Sequence, residues 1–401
     1  MATMSGNARC ALLSRLASGM AITAALVAGC GGGGGGGGGG GSGSGSRPSA
    51  PPSIDASGVW TGSLHSEPTG EDDLLILPVA QQTNGDVQAT LTVWSAGHPS
   101  TTRVMDGWVS GYDLSAAARL EPGARLEFDG VLQADSTASG SYDYEVPGDG
   151  VTFVDHGTWS AHRLPGVHLS PRQLFTLDYE AGAMTSDGTH IWAAGFKDGE
   201  AKLCSYSTAG QEEFCATPPA DELDSNARCA RGSMAVAGDY IACLGGGGLW
   251  FVRRSDGTFD TSRTIYGWNT PCAALTVDDS GKFWCATTQA LTMLEPTGEV
   301  TSSVPLALPS PAAAAWDGSS FWIADDPTEK IFSVDANGNL LGAADGPPIS
   351  HAAAPSDVDQ RLIALARHGD HLVAAIASWW VETGAPTVSG ATTVYELTLQ
   401  P

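Results

Sequence analysis

Five times between Met184 and Ala374 the chain repeats one outline: an apolar strand, a turn containing glycine, then an apolar or aromatic strand. The first copy reads Met184-Thr-Ser-Asp187-Gly188-Thr-His-Ile191-Trp192-Ala193. The outline returns at Met234 to Cys243 around Gly238, Leu275 to Cys285 around Gly281, Ala314 to Ala324 around Gly318, and Leu365 to Ala374 around Gly369. Copies spaced 37 to 51 residues apart are too short to be domains and cannot each bury an apolar face alone, so they must stack.

Each copy is followed by a second hairpin: Leu203-x-x-Tyr206 to Gly210, Leu249-x-x-Val252 to Gly257, Leu291-x-x-Leu294 to Gly298, and Ile331-x-x-Val334 to Gly338. Four strands per unit at this length form the sheet of a β-propeller blade, so the spacing predicts a five-bladed propeller over residues 165–401, with a sixth, degenerate blade as the alternative count. The fifth unit's second hairpin begins at Val394-x-x-Leu397 and leaves no room for an outer strand before Pro401. The segment Gln173 to Asp178, ahead of the first unit, is expected to supply it by pairing beside Val394 to Leu399. The Asp-Gly turns before Ile/Leu-Trp strands resemble those of extracellular propellers of the NHL, YVTN and glutamine-cyclotransferase-like type. That resemblance implies a fold more than a function.

Residues 54–164 alternate apolar and polar positions with period two, as in Val87, Ala89, Leu91 and Val93, or Leu126 and Phe128, the pattern of half-buried antiparallel strands. About eight such runs, with no helical pattern, suggest a small up-and-down barrel, whose closure removes exposed edges. The class is therefore all-β throughout; the best helical candidate, Ser356 to Arg367, reads better as a strand with its lead-in. Gly58-Val59-Trp60 and Gly157-Thr158-Trp159 mark the two ends, and Gly-x-Trp on a first strand is similar to lipocalins and avidin-like proteins. That likeness implies a lumen, lined by Trp60, Leu91 and Tyr144, that takes a small apolar ligand or is filled by its own side chains.

The first 29 residues carry Arg9 and Arg15 as their only charges, then an apolar or small run from Leu16 to Val27. This is a basic region and an apolar core too short to span a bilayer, which reads as a signal peptide. Val27-Ala28-Gly29-Cys30 resembles the bacterial lipobox, which implies cleavage before Cys30 and a diacylglyceryl group on its thiol. The chain is thus expected to be exported and held at the outer membrane or cell surface, with residues 30–53, glycine-rich from Gly31 to Gly41, as a flexible tether. A phosphate-cradling reading of the glycines fails for want of a Lys-Ser/Thr and a following helix.

Without residues 1–29 the chain keeps 17 basic and 44 acidic side chains, a net charge of −27, which excludes a basic nucleic-acid-binding face. Six further cysteines, Cys204, Cys215, Cys229, Cys243, Cys272 and Cys285, fall in one 82-residue window. An even number in an exported chain favours three disulfides; the expected pairs are Cys204–Cys215, Cys229–Cys243 and Cys272–Cys285, with a bond from Cys215 to Cys229 as the alternative. No Cys-x-x-Cys spacing suggests zinc.

No nucleophile elbow and no cofactor fingerprint occurs, and no catalytic residues or cofactors are assigned. His368-Gly-Asp-His371 and Asp335-Ala-Asn-Gly-Asn339 both fall on blade turns, where turn chemistry explains them, and Asp325-Asp326 is the remaining cation candidate. Repeat alignment places Glu180, Arg231 and Arg361 where innermost strands begin, a possible channel site for a carboxylate or sugar. The leading expectation is a monomeric surface-exposed module that binds a protein, peptide or glycan. The alternatives are a propeller enzyme of cyclotransferase or lyase type and a small-ligand carrier using the barrel.

Overall fold

The computed structural model describes residues 50–94, 101–120, 123–147, 152–198, 200–216, 233–245, 248–266, 272–306, 308, 310–326, 328–349, 358–380 and 390–400. They form two compact units that divide after Arg163, and both are all-β.

The first unit is a closed eight-stranded barrel. Its strands are β1 (Gly58–Ser66), β2 (Asp72–Gln81), β3 (Asp86–Trp94), β4 (Thr101–Ser110), β5 (Asp113–Leu120), β6 (Ala124–Leu132), β7 (Thr137–Pro147) and β8 (Thr152–Arg163). Closure comes from the two Gly-x-Trp strands: β1 pairs antiparallel with β8, Leu64 opposite Trp159 and Trp60 opposite Arg163. The alternating apolar positions point inward and meet as one cluster that includes Trp60, Leu77, Leu91, Met105, Phe128, Tyr142 and Trp159, with Tyr144 packed against it. Trp159 stacks on Phe128 at 4.8 Å and donates its indole N–H to the carbonyls of Asp129 and Ser141. The ring lies over Gly130, where an added Cβ would stand 2.3 Å from it. Trp60 and Leu91, two of the residues expected to line a lumen, are buried within this cluster. Residues 50–53, assigned to the tether by composition, run along the β4–β5 turn, with Ser53 N–H bonded to the Gly111 carbonyl.

The second unit is a five-bladed propeller of four-stranded sheets. Blade 1 comprises β10 (Ala181–Ser186), β11 (Ile191–Lys197), β12 (Glu200–Tyr206) and β13 (Glu212–Ala216); blade 2, β14 (Ser233–Ala237), β15 (Tyr240–Gly245), β16 (Gly248–Arg253) and β17 (Ile265–Tyr266). Blade 3 comprises β18 (Ala274–Val277), β19 (Phe283–Ala286), β20 (Ala290–Leu294) and β21 (Val300–Pro305); blade 4, β22 (Pro311–Trp316), β23 (Phe321–Asp325), β24 (Lys330–Val334) and β25 (Leu340–Asp345). Blade 5 takes β26 (Val358–His368), β27 (His371–Trp380) and β28 (Ala391–Leu399) from the C-terminal end and its outer strand, β9 (Leu169–Leu177), from ahead of blade 1. Val394 faces Phe175 and Thr392 faces Leu177, so the ring closes as the missing strand of the fifth repeat requires. The six-bladed count is set aside, and the segment read as a possible helix is strand β26.

The nine glycines that punctuate the repeat all have positive φ, from 60° to 104°, a backbone region costly for any residue with a Cβ, and this is why glycine marks the turns. Both faces of each sheet are buried against neighbouring blades. The seam between blades 5 and 1 joins Met184, Cys204 and Tyr206 to Ala364, Val373 and Val394, and the seam between blades 1 and 2 joins Trp192 and Leu203 to Met234 and Trp250.

Candidate functional site

The inner strands β10, β14, β18, β22 and β26 follow one another round the axis. Small residues let them crowd together: Ala183, Ser233, Ala313, Ala314 and Ala364, with Met184, line a cavity of about 10 Å³, room for a single water. Among the described residues the inner strands are closely packed at this level. At the end where inner strands begin, Glu180 is half-buried and lies over Gly390, and Arg361 is exposed on β26 opposite Ala377. Arg231 lies outside the described residues.

The opposite end is built from the first turn of each blade, and three of these turns share a device. Asp187, Asp278 and Asp317 each accept backbone N–H bonds from their own turn and the indole N–H of a tryptophan that follows: Trp192 at 3.1 Å, Trp284 at 2.8 Å and Trp322 at 2.7 Å. Asp187 also takes Arg254 Nη1 at 3.0 Å. Burial pushes these carboxyls up, but the hydrogen bonds outweigh it and hold all three below the usual carboxylate range, Asp187 to about 2. Nearer the axis, Trp316 donates to Asp279 Oδ2 at 3.2 Å, Arg367 Nη1 stands 3.8 Å from Asp279 Oδ1, and Ser186 Oγ bonds His368 Nδ1 at 2.7 Å across the closing seam. Ser186 also accepts the Gly188 N–H, so its hydroxyl is committed to holding blades 1 and 5 together. Of these groups only His368 is weighed from sequence, as part of a metal candidate, and Asp187 and Trp192 are quoted there only as part of the repeat; neither the aspartate–tryptophan locks nor the Ser186–His368 bond is read from it. An aspartate recurring five or six residues before a tryptophan in three copies was the available signal for the locks.

The cation candidates resolve into turn chemistry. Asp335 accepts from Asn337 N–H, Asn339 N–H and the Asn339 amide. Asp325 is buried and accepts from Ser310 N–H and from the Thr328 N–H and hydroxyl; burial pushes its carboxyl up. His371 pairs with Asp370 while His368 turns to Ser186, so the two imidazoles do not share a ligand.

Disulfides join Cys204 to Cys215 and Cys272 to Cys285, as the spacing predicts. The alternative bond from Cys215 to Cys229 is excluded, since Cys215 is already paired with the residue directly opposite it on β12. Cys243 is also disulfide-bonded; Cys229 and Cys30 lie outside the described residues. Beside the Cys204–Cys215 bond sits a polar group that spacing does not reveal. The register of β12 and β13 slips between Ser205/Phe214 and Tyr206/Glu212, which bulges Glu213 and turns Glu212 to the cystine's face. Its carboxylate takes Lys197 Nζ at 2.6 Å and the Tyr206 hydroxyl at 3.4 Å, and Tyr206 bonds Tyr179 at 3.1 Å.

No family model matches the chain, and no curated protein matches it. Among solved structures it is similar to a glutaminyl cyclase from Myxococcus xanthus, with 12% identity and a TM-score of 0.42 over 59% of this chain and 99% of that one. It is also similar to regucalcin, a calcium-binding protein from Agrobacterium tumefaciens, with 11% identity and a TM-score of 0.35 over 58% and 95%. A DUF4623 family protein from Bacteroides eggerthii matches at 9% identity and a TM-score of 0.30 over 84% and 98%. None of these likenesses carries chemistry over to this chain, whose site rests on its own residues.

Proposed function

We propose that the chain is an exported lipoprotein of the bacterial cell envelope, anchored through Cys30, whose propeller binds a protein, peptide or glycan. The observation that carries this reading is that every described propeller cysteine is disulfide-bonded, Cys204, Cys215, Cys243, Cys272 and Cys285 alike. Such bonds persist where the compartment is oxidising and are rare where thiol reductants abound. The lipobox-like Val27-Ala28-Gly29-Cys30 agrees with that compartment, and the glycine run beyond it gives the folded units clearance from lipid headgroups. The close approach of the described inner strands and the apolar cluster inside the barrel favour recognition on an outer face over chemistry in a chamber.

The test is fractionation of cells fed a labelled fatty acid, comparing wild type with Cys30→Ala, together with thiol counting on the denatured protein. Acyl label in the membrane fraction, its loss in the variant, and no free propeller thiols are expected. An unlabelled chain in the cytosol with reduced thiols would sink the proposal.

A further inference from the structure

We propose that the Cys204–Cys215 cystine is the closed state of a metal site: once reduced, the two thiolates and the Glu212 carboxylate bind a borderline divalent cation of the zinc class. The three donor atoms lie within 4.8 Å of one another, the one such convergence of three ligating groups among the described residues. Around a tetrahedral zinc, with sulfur at about 2.3 Å and oxygen at about 2.0–2.2 Å, donors stand roughly 3.3–3.8 Å apart. A small opening of the sulfurs, as bond cleavage allows, reaches that geometry.

Three features beyond proximity support the site. The bulge at Glu213 is what brings Glu212 round; without it, residues 212 and 215 would point to opposite faces of the strand. The carboxylate is oriented by hydrogen bonds from Tyr206 and Lys197, the kind of outer support that ligating carboxylates use. Glu212 is 40% exposed and Cys215 half-buried, so an ion and a reductant have access from solvent, and water can fill the fourth position. Spacing in the sequence hides the set, because the cysteines are joined by register across a hairpin and not by a short local motif.

The chemistry balances with a dithiol as reductant. Its two electrons and two protons convert the cystine into two thiols while it becomes a disulfide. Binding of the cation then releases both thiol protons, and Glu212 enters as its carboxylate. Oxidation by the reverse route expels the metal, so disulfide and cation exclude each other.

The test uses the whole chain, reduced with a phosphine, desalted without oxygen and titrated with Co²⁺, whose thiolate charge-transfer bands report sulfur ligation. Saturable bands at one Co²⁺ per chain are expected, displaced by Zn²⁺ and absent from the oxidised protein. Cys204→Ser and Cys215→Ser should each abolish them, Cys272→Ser/Cys285→Ser should keep them, and Tyr206→Phe should weaken binding by about 10- to 100-fold. Bands that survive Cys215→Ser, no bands at all, or collapse of the sheet circular dichroism on reduction would each overturn the proposal.

Discussion

Replacing Asp187 with alanine removes one acceptor from several donors at once: Thr189 N–H, His190 N–H, the Trp192 indole and Arg254. The Thr189 N–H is exposed and the Arg254 head partly so, and these recover water. The Trp192 N–H belongs to a ring buried in the seam between blades 1 and 2, and it does not. An unpaired buried donor costs about 1–3 kcal/mol, and loss of the charge-assisted bonds brings the total to about 3 kcal/mol. For a unit of this size that is a fall of roughly 6–12 °C in the propeller's melting temperature. Acid titration gives an independent measure. A carboxyl held at about 2 against an ordinary value of 3.8 stabilises the fold by about 2 kcal/mol when ionised. That contribution is complete above the unfolded value, near pH 4, and is lost as pH falls through about 2; Asp187→Asn should lack this acid-dependent loss. Asp239→Ala, in the equivalent turn of blade 2, where alanine stands in the tryptophan's place, should change stability by less than about 0.5 kcal/mol. Equal melting of Asp187→Ala and wild type, or an equal loss in Asp239→Ala, would refute the lock.

Thr392 is fully buried, accepts the Ala181 N–H and donates to the Tyr179 carbonyl; Thr392→Val strands both and should cost about 2–4 kcal/mol by thermal melting. Gly130→Ala drives a methyl into Trp159 and should cost about 1–3 kcal/mol, with a changed near-UV circular dichroism signal from the barrel. Cys204→Ser/Cys215→Ser opens a cross-link of separation 11 and should lower denaturant-measured stability by about 2–3 kcal/mol, leaving the melting of the barrel unit where it was.

The architecture was legible because each level of the sequence repeats its own constraint. Turn glycines recur where positive φ is needed, alternation marks strands buried on one face of a barrel, and a fifth unit short of one strand dictates where Phe175 must pair. Near-symmetry of Cys204 and Cys215 about a turn likewise gave the cross-strand bond. What could not be read are features that depend on a single-residue slip or on several blades converging. The bulge at Glu213 leaves no compositional trace, yet it decides which face Glu212 occupies. Asp279, Trp316 and Arg367 come from three different blades and meet only because the ring closes. Alternation also says that Phe128, Tyr142 and Trp159 point inward, but not that their rings stack on one another.

One face of the propeller is tied up in holding the ring together. On the face of the first turns, glycine-pinned loops, aspartate–tryptophan locks and the Ser186–His368 bond commit most polar groups to holding blades in place. On the opposite face, where inner strands begin, Glu180 is half-buried and Arg361 is exposed on β26. With a binding partner recovered by pull-down of the anchored chain, Glu180→Ala and Arg361→Ala should weaken capture at least about tenfold while melting within about 0.5 kcal/mol of wild type. Asp187→Ala should do the reverse, lowering stability and leaving affinity unchanged. Substitutions on the first-turn face that abolish capture without touching stability would show that the partner sits at the other end of the axis.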